Sequence, residues 1–263
     1  MTDFSAKAQD SENCPTAYFH GQPGSVAELS LFGGTAPPGW FVPDRSPDRL
    51  HLSQTACFDR IADQIRTRSP DRTARLVGFS IGAYVALEVA SRLPDLDLSI
   101  DLVSPAVPLS TGPYLETMAG KAVFALAGKH RRLFGLVSRA QGIMARIFPG
   151  TLCDLLFASA QGGDAILYAD PAFRARVRQL VRGGLAYGNP AYRQEVLGYV
   201  GDWAGILQKI DQPVTIWQGQ CDNWSPPAMA ETLATLLPNV VAVHRLEGCS
   251  HYSTLRDYLH SAR

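Results

Sequence analysis

Six short apolar runs punctuate the chain, each closed by turn or polar residues: AYF at 17–19, GWFVP at 39–43, RLVGF at 75–79, LSIDLV at 98–103, PVTIWQ at 213–218 and VAVHRL at 241–246. Runs of this length with such boundaries read as strands. Helical patterns lie between them. In SQTACFDRIADQIRT, Phe58, Ile61, Ala62 and Ile65 recur at i, i+3, i+4 and i+7, and Ser53 is placed to cap the first turn. AYVALEVASRL runs on to Pro94, which cannot continue a helix, and in PPAMAETLATLLP prolines open a helix that Pro238 closes. Strand and helix in alternation, with strands apolar nearly throughout, predict an α/β fold: a mostly parallel sheet covered by helices on both faces.

One stretch breaks the rhythm. From 105 to 201 helical signals follow one another with no convincing strand: SRAQGIMARIF, DPAFRARVRQLVRGGLAYG and NPAYRQEVLGYVGDWAGILQKI. Asp170-Pro171 and Asn189-Pro190 each pair an N-cap residue with a proline at the first helical position, which marks a helix start. The division this predicts is a core formed by 16–104 and 202–263, interrupted by a helical insertion at 105–201.

Composition narrows the class without choosing a chemistry. A chain of 263 residues that is 46% hydrophobic can bury one sizeable core. Lys plus Arg equals Asp plus Glu at 24 each, so no overall field draws the protein to nucleic acid. The opening MTDFSAKAQDSENCP lacks the apolar segment of a secretory leader, and no apolar run is long enough to span a bilayer. Cys14, Cys57, Cys153, Cys221 and Cys249 are odd in number and lack CxxC spacing, which argues against zinc and against a disulfide framework. A reducing cytoplasm is the expected compartment. HExxH, GxGxxG and P-loop patterns are missing too, so no metal or cofactor is expected.

The candidate chemistry sits in Gly78-Phe79-Ser80-Ile81-Gly82, between a predicted strand and a predicted helix. A tight strand-to-helix turn needs near-absent side chains flanking its apex, and it projects the apical serine outward as a nucleophile. A plain N-cap serine would have the same neighbours. A serine hydroxyl is weak unless a base takes its proton and a third group orients that base. Of six histidines, His251 in LEGCSHYSTL lies in a glycine- and serine-bearing loop just after the last predicted strand. His244 falls inside a strand, His260 in the final helix, and His51 and His130 beside charged stretches. Asp222, in IWQGQCDNWSPP, occupies a turn at the carboxyl end of the preceding strand, where an N-cap role is the plainer alternative. Trp224 follows it as a pocket candidate. Cys221 and Cys249 lie near this acid and this histidine and read as buried free thiols. Ser80, Asp222 and His251 all map to carboxyl ends of strands, where parallel α/β sheets bind ligands.

Taken together, GFSIG at 78–82, GQCDNWSPP at 219–227, GCSHYSTL at 248–255 and HGQPGS at 20–25 resemble the motifs of the α/β-hydrolase superfamily, in the chain order Ser, Asp, His, over nearly the whole sequence. The resemblance implies that the backbone N–H groups of Gln22 and Ile81 form an oxyanion hole, with His20 holding its loop. It implies that the helical insertion is a cap over the site. With 16 residues ahead of AYF, one or two of the family's usual leading strands are expected to be missing. A serine nucleophile implies acyl transfer: attack by Ser80, proton transfer by His251, orientation by Asp222, and cleavage of an ester or thioester of a small acyl substrate. C–C hydrolysis, lyase chemistry and acyl transfer to another acceptor use the same three groups, and a ligand-binding member without turnover is the alternative of a different class.

Between Glu116 and Asp154 there is no acidic residue, whereas Lys121, Lys129, Arg131, Arg132, Arg139 and Arg146 all fall there. Leu133, Phe134, Leu136, Val137, Ile143, Met144, Ile147 and Phe148 give this basic segment a broad apolar face. The plain expectation is a helix packed through that face with its basic side in water. The alternative is a surface that meets anionic lipid or an acyl-thioester carrier.

Overall fold

The computed structural model describes residues 14–45, 53–185 and 190–262, so His51 and Asn189 lie outside the described residues. All six apolar runs are strands: β1 (Thr16–Phe19), β2 (Trp40–Phe41), β3 (Thr73–Phe79), β4 (Asp97–Val103), β5 (Val214–Gly219) and β6 (Val240–Leu246). They form one sheet in the order β2-β1-β3-β4-β5-β6, and every pairing is parallel. The two-residue strand β2 closes its first edge.

Alternation along the strands decides what each face buries. Ala17, Phe19, Leu76, Ile100 and Leu102 join the large core, together with α1 (Gln54–Arg68), α2 (Ile81–Ala90) and α9 (Pro227–Leu236). Tyr18, Val77, Phe79 and Val103 point the other way, onto Leu255, Tyr258 and Leu259 of the final helix, α10 (His251–Ser261). The helices form where the periodicity predicts. Phe58, Ile61, Ala62 and Ile65 of α1 are buried, and Ser53 Oγ accepts the Ala56 N–H at 3.2 Å. Helix α2 is buried almost all round because it packs between the sheet and the helices that follow β4.

Between β4 and β5 the described residues hold α3 (Lys121–Lys129), α4 (Arg131–Ile147), α5 (Pro149–Leu156), α6 (Gly162–Ala169), α7 (Pro171–Leu185) and α8 (Pro190–Tyr199). Asp170 Oδ1 accepts the Ala172 N–H at 2.9 Å and caps α7. Residues such as Phe134, Phe173, Val177 and Tyr199 are continuous with the sheet's core, so the helical layer shares one hydrophobic interior with it. Helix α4 departs from the plain expectation. It turns Phe134, Gly135, Ser138, Gly142 and Ala145 inward, and most of its large aliphatic side chains stay outside. No helix among the described residues is long and apolar enough to cross a membrane.

Candidate active site

The carboxyl ends of β1, β3, β5 and β6 bring the candidate residues to one place. Ser80 follows β3 with φ 57° and ψ −126°, a conformation that L-residues rarely adopt. Its N–H donates to the Val103 carbonyl and its own carbonyl accepts from Ala83 and Ala106, so three elements hold the turn. The flanking glycines are required for space. A Cβ on Gly78 would stand 2.6 Å from Ala83 Cα, and one on Gly82 would fall on the Phe19 carbonyl oxygen. The turn can therefore form only with bare backbone on both sides of the serine.

Asp222 is buried in the loop after β5 and both of its oxygens are engaged. Oδ1 accepts the N–H groups of Trp224 at 2.8 Å and Ser225 at 2.9 Å, which fixes the carboxylate to its own loop. Oδ2 lies 2.8 Å from His251 Nδ1. His251 is the first residue of α10, not part of the preceding loop, so the helix sets its backbone direction. Its ring packs on Phe79 with centroids 4.7 Å apart. Burial by itself would lower the His251 pKa; the Asp222 carboxylate and its hydrogen bond outweigh this and hold it above the ordinary histidine value.

Ser80, Ile81, Gln22, Trp224 and His251 line a single narrow cleft of about 30 Å³. It continues through Gln22, Ile81, Phe124, Leu156 and Trp224 into a chamber of about 330 Å³ beneath the helical layer. Aliphatic and aromatic side chains dominate that chamber, among them Val123, Met144, Leu152 and Val196, and among the described residues neither space is lined by Lys or Arg.

The loop after β1 is held from below. Glu28 Oε2 accepts the Gly21 N–H at 3.0 Å and the Tyr18 hydroxyl at 2.7 Å. Burial pushes the Glu28 carboxyl up to about 7, against those hydrogen bonds. His20 lies buried beside Arg45, and burial together with that guanidinium keeps it well below the ordinary histidine value, hence neutral. Its Nδ1 lies 2.7 Å from the Gly21 carbonyl, so the imidazole is engaged within this loop.

Three buried groups in the site's surroundings carry no signal in the sequence. Gln22 Nε2 donates to Glu195 Oε2 of α8 at 2.7 Å, and Arg45 pairs with the same carboxylate at 3.2 Å. These contacts tie the loop after β1 to the helical layer. Asp164 of α6 accepts the N–H of Tyr252 at 3.0 Å, the N–H of Ser253 at 2.7 Å and the Ser253 hydroxyl at 2.7 Å. It thus caps the very helix that begins with His251. Positions 22, 45 and 195, or 164 and 251, are too far apart for any spacing rule to join them. Cys221 and Cys249 meet through their backbones, and the Cys249 thiol donates to Asp257. No group of three His, Cys, Asp or Glu among the described residues is placed to hold a metal ion.

A parallel sheet with a serine at a strained strand-to-helix turn, a buried His–Asp pair at neighbouring strand ends and a helical layer above defines an α/β-hydrolase. Residues 14–259 match the model of the alpha/beta hydrolase family, and the chain belongs to it. One relative is the 2-(acetamidomethylene)succinate hydrolase of Mesorhizobium japonicum, 27% identical over 196 residues. The match covers 74% of this chain and 63% of that protein, so this chain spans less than two thirds of the relative's length. Among solved structures, a thermophilic esterase from Thermogutta terrifontis superposes with TM-score 0.57 at 18% identity, covering 95% of this chain and 90% of the esterase. A bromoperoxidase from Bacillus anthracis does so with TM-score 0.58 at 15% identity, over 94% and 90%. At these identities the likeness is one of fold.

Proposed function

We propose that the protein is a serine hydrolase that cleaves a carboxylic ester or thioester through an acyl-enzyme. In this reading Ser80 Oγ attacks the carbonyl carbon while His251 takes its proton, and the N–H groups of Gln22 and Ile81 receive the developing oxyanion. Asp222 fixes the imidazole tautomer and stabilises the imidazolium. His251 then protonates the leaving group, and water, deprotonated by the same imidazole, releases the acid. The observation that carries the reading is the strained Ser80 turn in one cleft with a histidine whose Nδ1 lies 2.8 Å from a buried, otherwise loop-fixed carboxylate.

The cleft also bears on the substrate. The relative's name specifies a succinate, whose carboxylates call for cationic partners. Among the described residues the lining of cleft and chamber offers no Lys or Arg, and Arg45, just behind, is committed to Glu195. This supports a neutral substrate with an apolar acyl or alcohol group in the chamber. The residues 105–201 act in this reading as the cap that roofs it. None of the five cysteines is in a disulfide, which supports the cytoplasm as compartment.

The test is covalent labelling by a fluorophosphonate, with Ser80→Ala alongside, followed by nitrophenyl esters of increasing acyl length. Labelling of the wild type that vanishes in Ser80→Ala is expected, with kcat/KM rising as the acyl chain fills the chamber. An unlabelled wild type would overturn the reading in favour of a ligand-binding member of the family.

A further inference from the structure

We propose that the outer face of the helical layer is a docking surface for an anionic lipid bilayer, with α4 lying in the plane of the headgroups. The proposal begins with how α4 is packed. Its contact with the rest of the protein is made by Phe134 and by the small side chains of Gly135, Ser138, Gly142 and Ala145. On the opposite side, Leu133, Leu136, Ala140, Ile143 and Ile147 follow one another at alternating steps of three and four, which places them in a single stripe along the helix. Leu136, Ile143 and Ile147, with Phe148 at the helix end and Leu155 on α5, are each between 59 and 62% exposed. Soluble proteins leave large apolar side chains exposed singly; a row of them on one face marks an interaction site.

The two edges of the stripe differ. Along one edge run Arg132 and Arg139, seven residues apart and therefore on one line, with Lys129 and Arg131 at the helix's N-terminal end; all four are exposed. Along the other edge Gln141 and Met144 line the chamber of about 330 Å³, and the exposed Leu155 lines it too. The apolar stripe therefore lies between a cationic margin and the wall of the chamber.

A bilayer containing anionic lipid matches this order of groups. Apolar side chains of an interfacial helix enter the boundary of the acyl region while arginines at its margin meet lipid phosphates. A second copy matches it poorly. Two-fold pairing of α4 would set the arginine line against itself, and no carboxylate between 117 and 153 is available to answer it. Docked this way, the protein presents its chamber wall to the lipid phase, the phase in which apolar esters reside. That last link rests on the serine-hydrolase reading, whereas the docking itself does not.

The experiment is sedimentation of the full chain with large unilamellar vesicles of phosphatidylcholine alone and of phosphatidylcholine mixed with phosphatidylglycerol. The wild type and Ser80→Ala are expected to bind the mixed vesicles equally, at least about tenfold more tightly than the neutral ones, with the difference removed by high salt. Arg132→Glu/Arg139→Glu should abolish the preference for anionic vesicles, and Leu136→Ser/Ile143→Ser should lower binding about tenfold. These side chains are exposed, so unchanged thermal unfolding shows that both variants keep the fold. Absence of binding to mixed vesicles, or equal binding to both kinds, overturns the proposal. So does a concentration-dependent dimer that Leu136→Ser/Ile143→Ser dissolves, which would assign the face to a second copy. Because Ser80→Ala is measured in parallel, failure of the hydrolase reading leaves this result intact.

Discussion

Ser80 has φ 57° although it is not a glycine, and such a backbone persists only where its surroundings over-determine it. Here they are the hydrogen bonds to Val103, Ala83 and Ala106 and the two bare glycines. His251 is the residue whose protonation the environment tunes most directly. Its imidazolium is favoured by Asp222, so its pKa in the folded protein is raised. In the proposed reaction His251 must be neutral to act as the base, so activity is gained as pH rises through that value. The acid limb of kcat/KM against pH is expected above the ordinary histidine value of about 6.5. Asp222→Asn removes the charge that raises the pKa and leaves the imidazole in the wrong tautomer. The limb should move to lower pH and kcat should fall by roughly 10⁴. A pH–rate profile of both proteins checks the two effects together.

Helix α10 shows how an element carries a side chain to its task. His251 is its first residue, so any loosening of the first turn moves the imidazole. Asp164, from α6, receives the N–H groups of the second and third residues and the Ser253 hydroxyl, and Ser253 Oγ in turn accepts the Ser250 N–H. Asp164 also adds to the charge that raises the His251 pKa. In the proposed reaction it is thus a positioning residue, acting on His251 through α10. Asp164→Asn keeps the size but loses the charge and one acceptor oxygen. It should cost roughly 1–2 kcal/mol of stability, as the loss of a helix cap does. It should also shift the acid limb of kcat/KM downward with KM nearly unchanged. A role in folding alone would lower stability and leave the limb in place. Sequence periodicity located α1, because a buried face recurs at a fixed interval, whereas His251 read as a loop residue and the structure makes it the first residue of α10. Periodicity could not locate Asp164, whose partner lies 88 residues away on a different helix.

At the scale of the whole molecule, stability should depend on pH through Glu28. This carboxyl is fully buried beneath the loop after β1, and burial raises its value from 4.5 to about 7. The unfolded chain releases the proton first as pH rises. The stabilisation is therefore complete below 4.5 and is lost as pH rises through about 7. The loss between pH 5 and 8 is roughly 2–3 kcal/mol for this group. His251, with its raised pKa, acts in the same direction, whereas His20, with its lowered one, acts oppositely below the ordinary histidine range. Glu28→Gln retains an acceptor for Tyr18 and Gly21 and cannot ionise. Denaturant unfolding of this variant across pH 5 to 8 should show a flatter dependence than the wild type, and equal slopes would assign the effect elsewhere. The helical layer and the sheet are also joined at this scale, through Gln22 and Arg45 on Glu195, which link the loop after β1 to helix α8.

By itself the sequence determined what depends on local pattern. Strand runs, helix faces, caps at Ser53 and Asp170, and the glycines around Ser80 were all legible, because each follows from neighbours within one turn or one strand. Chain order along parallel strands also made Ser80, Asp222 and His251 readable as candidates, since carboxyl ends of such strands share one edge of the sheet. Only the tertiary structure decided what depends on meetings between distant segments. It set the 2.8 Å approach of His251 to Asp222, the burial that raises Glu28, and the capping of α10 by Asp164. It also decided which side of α4 faces outward. Phe134 and Leu136 are equally apolar in sequence, yet one is buried and the other exposed. The physical reason is that hydrophobicity drives burial without choosing a partner, and the small residues Gly135, Ser138, Gly142 and Ala145 let that side of the helix approach the core most closely.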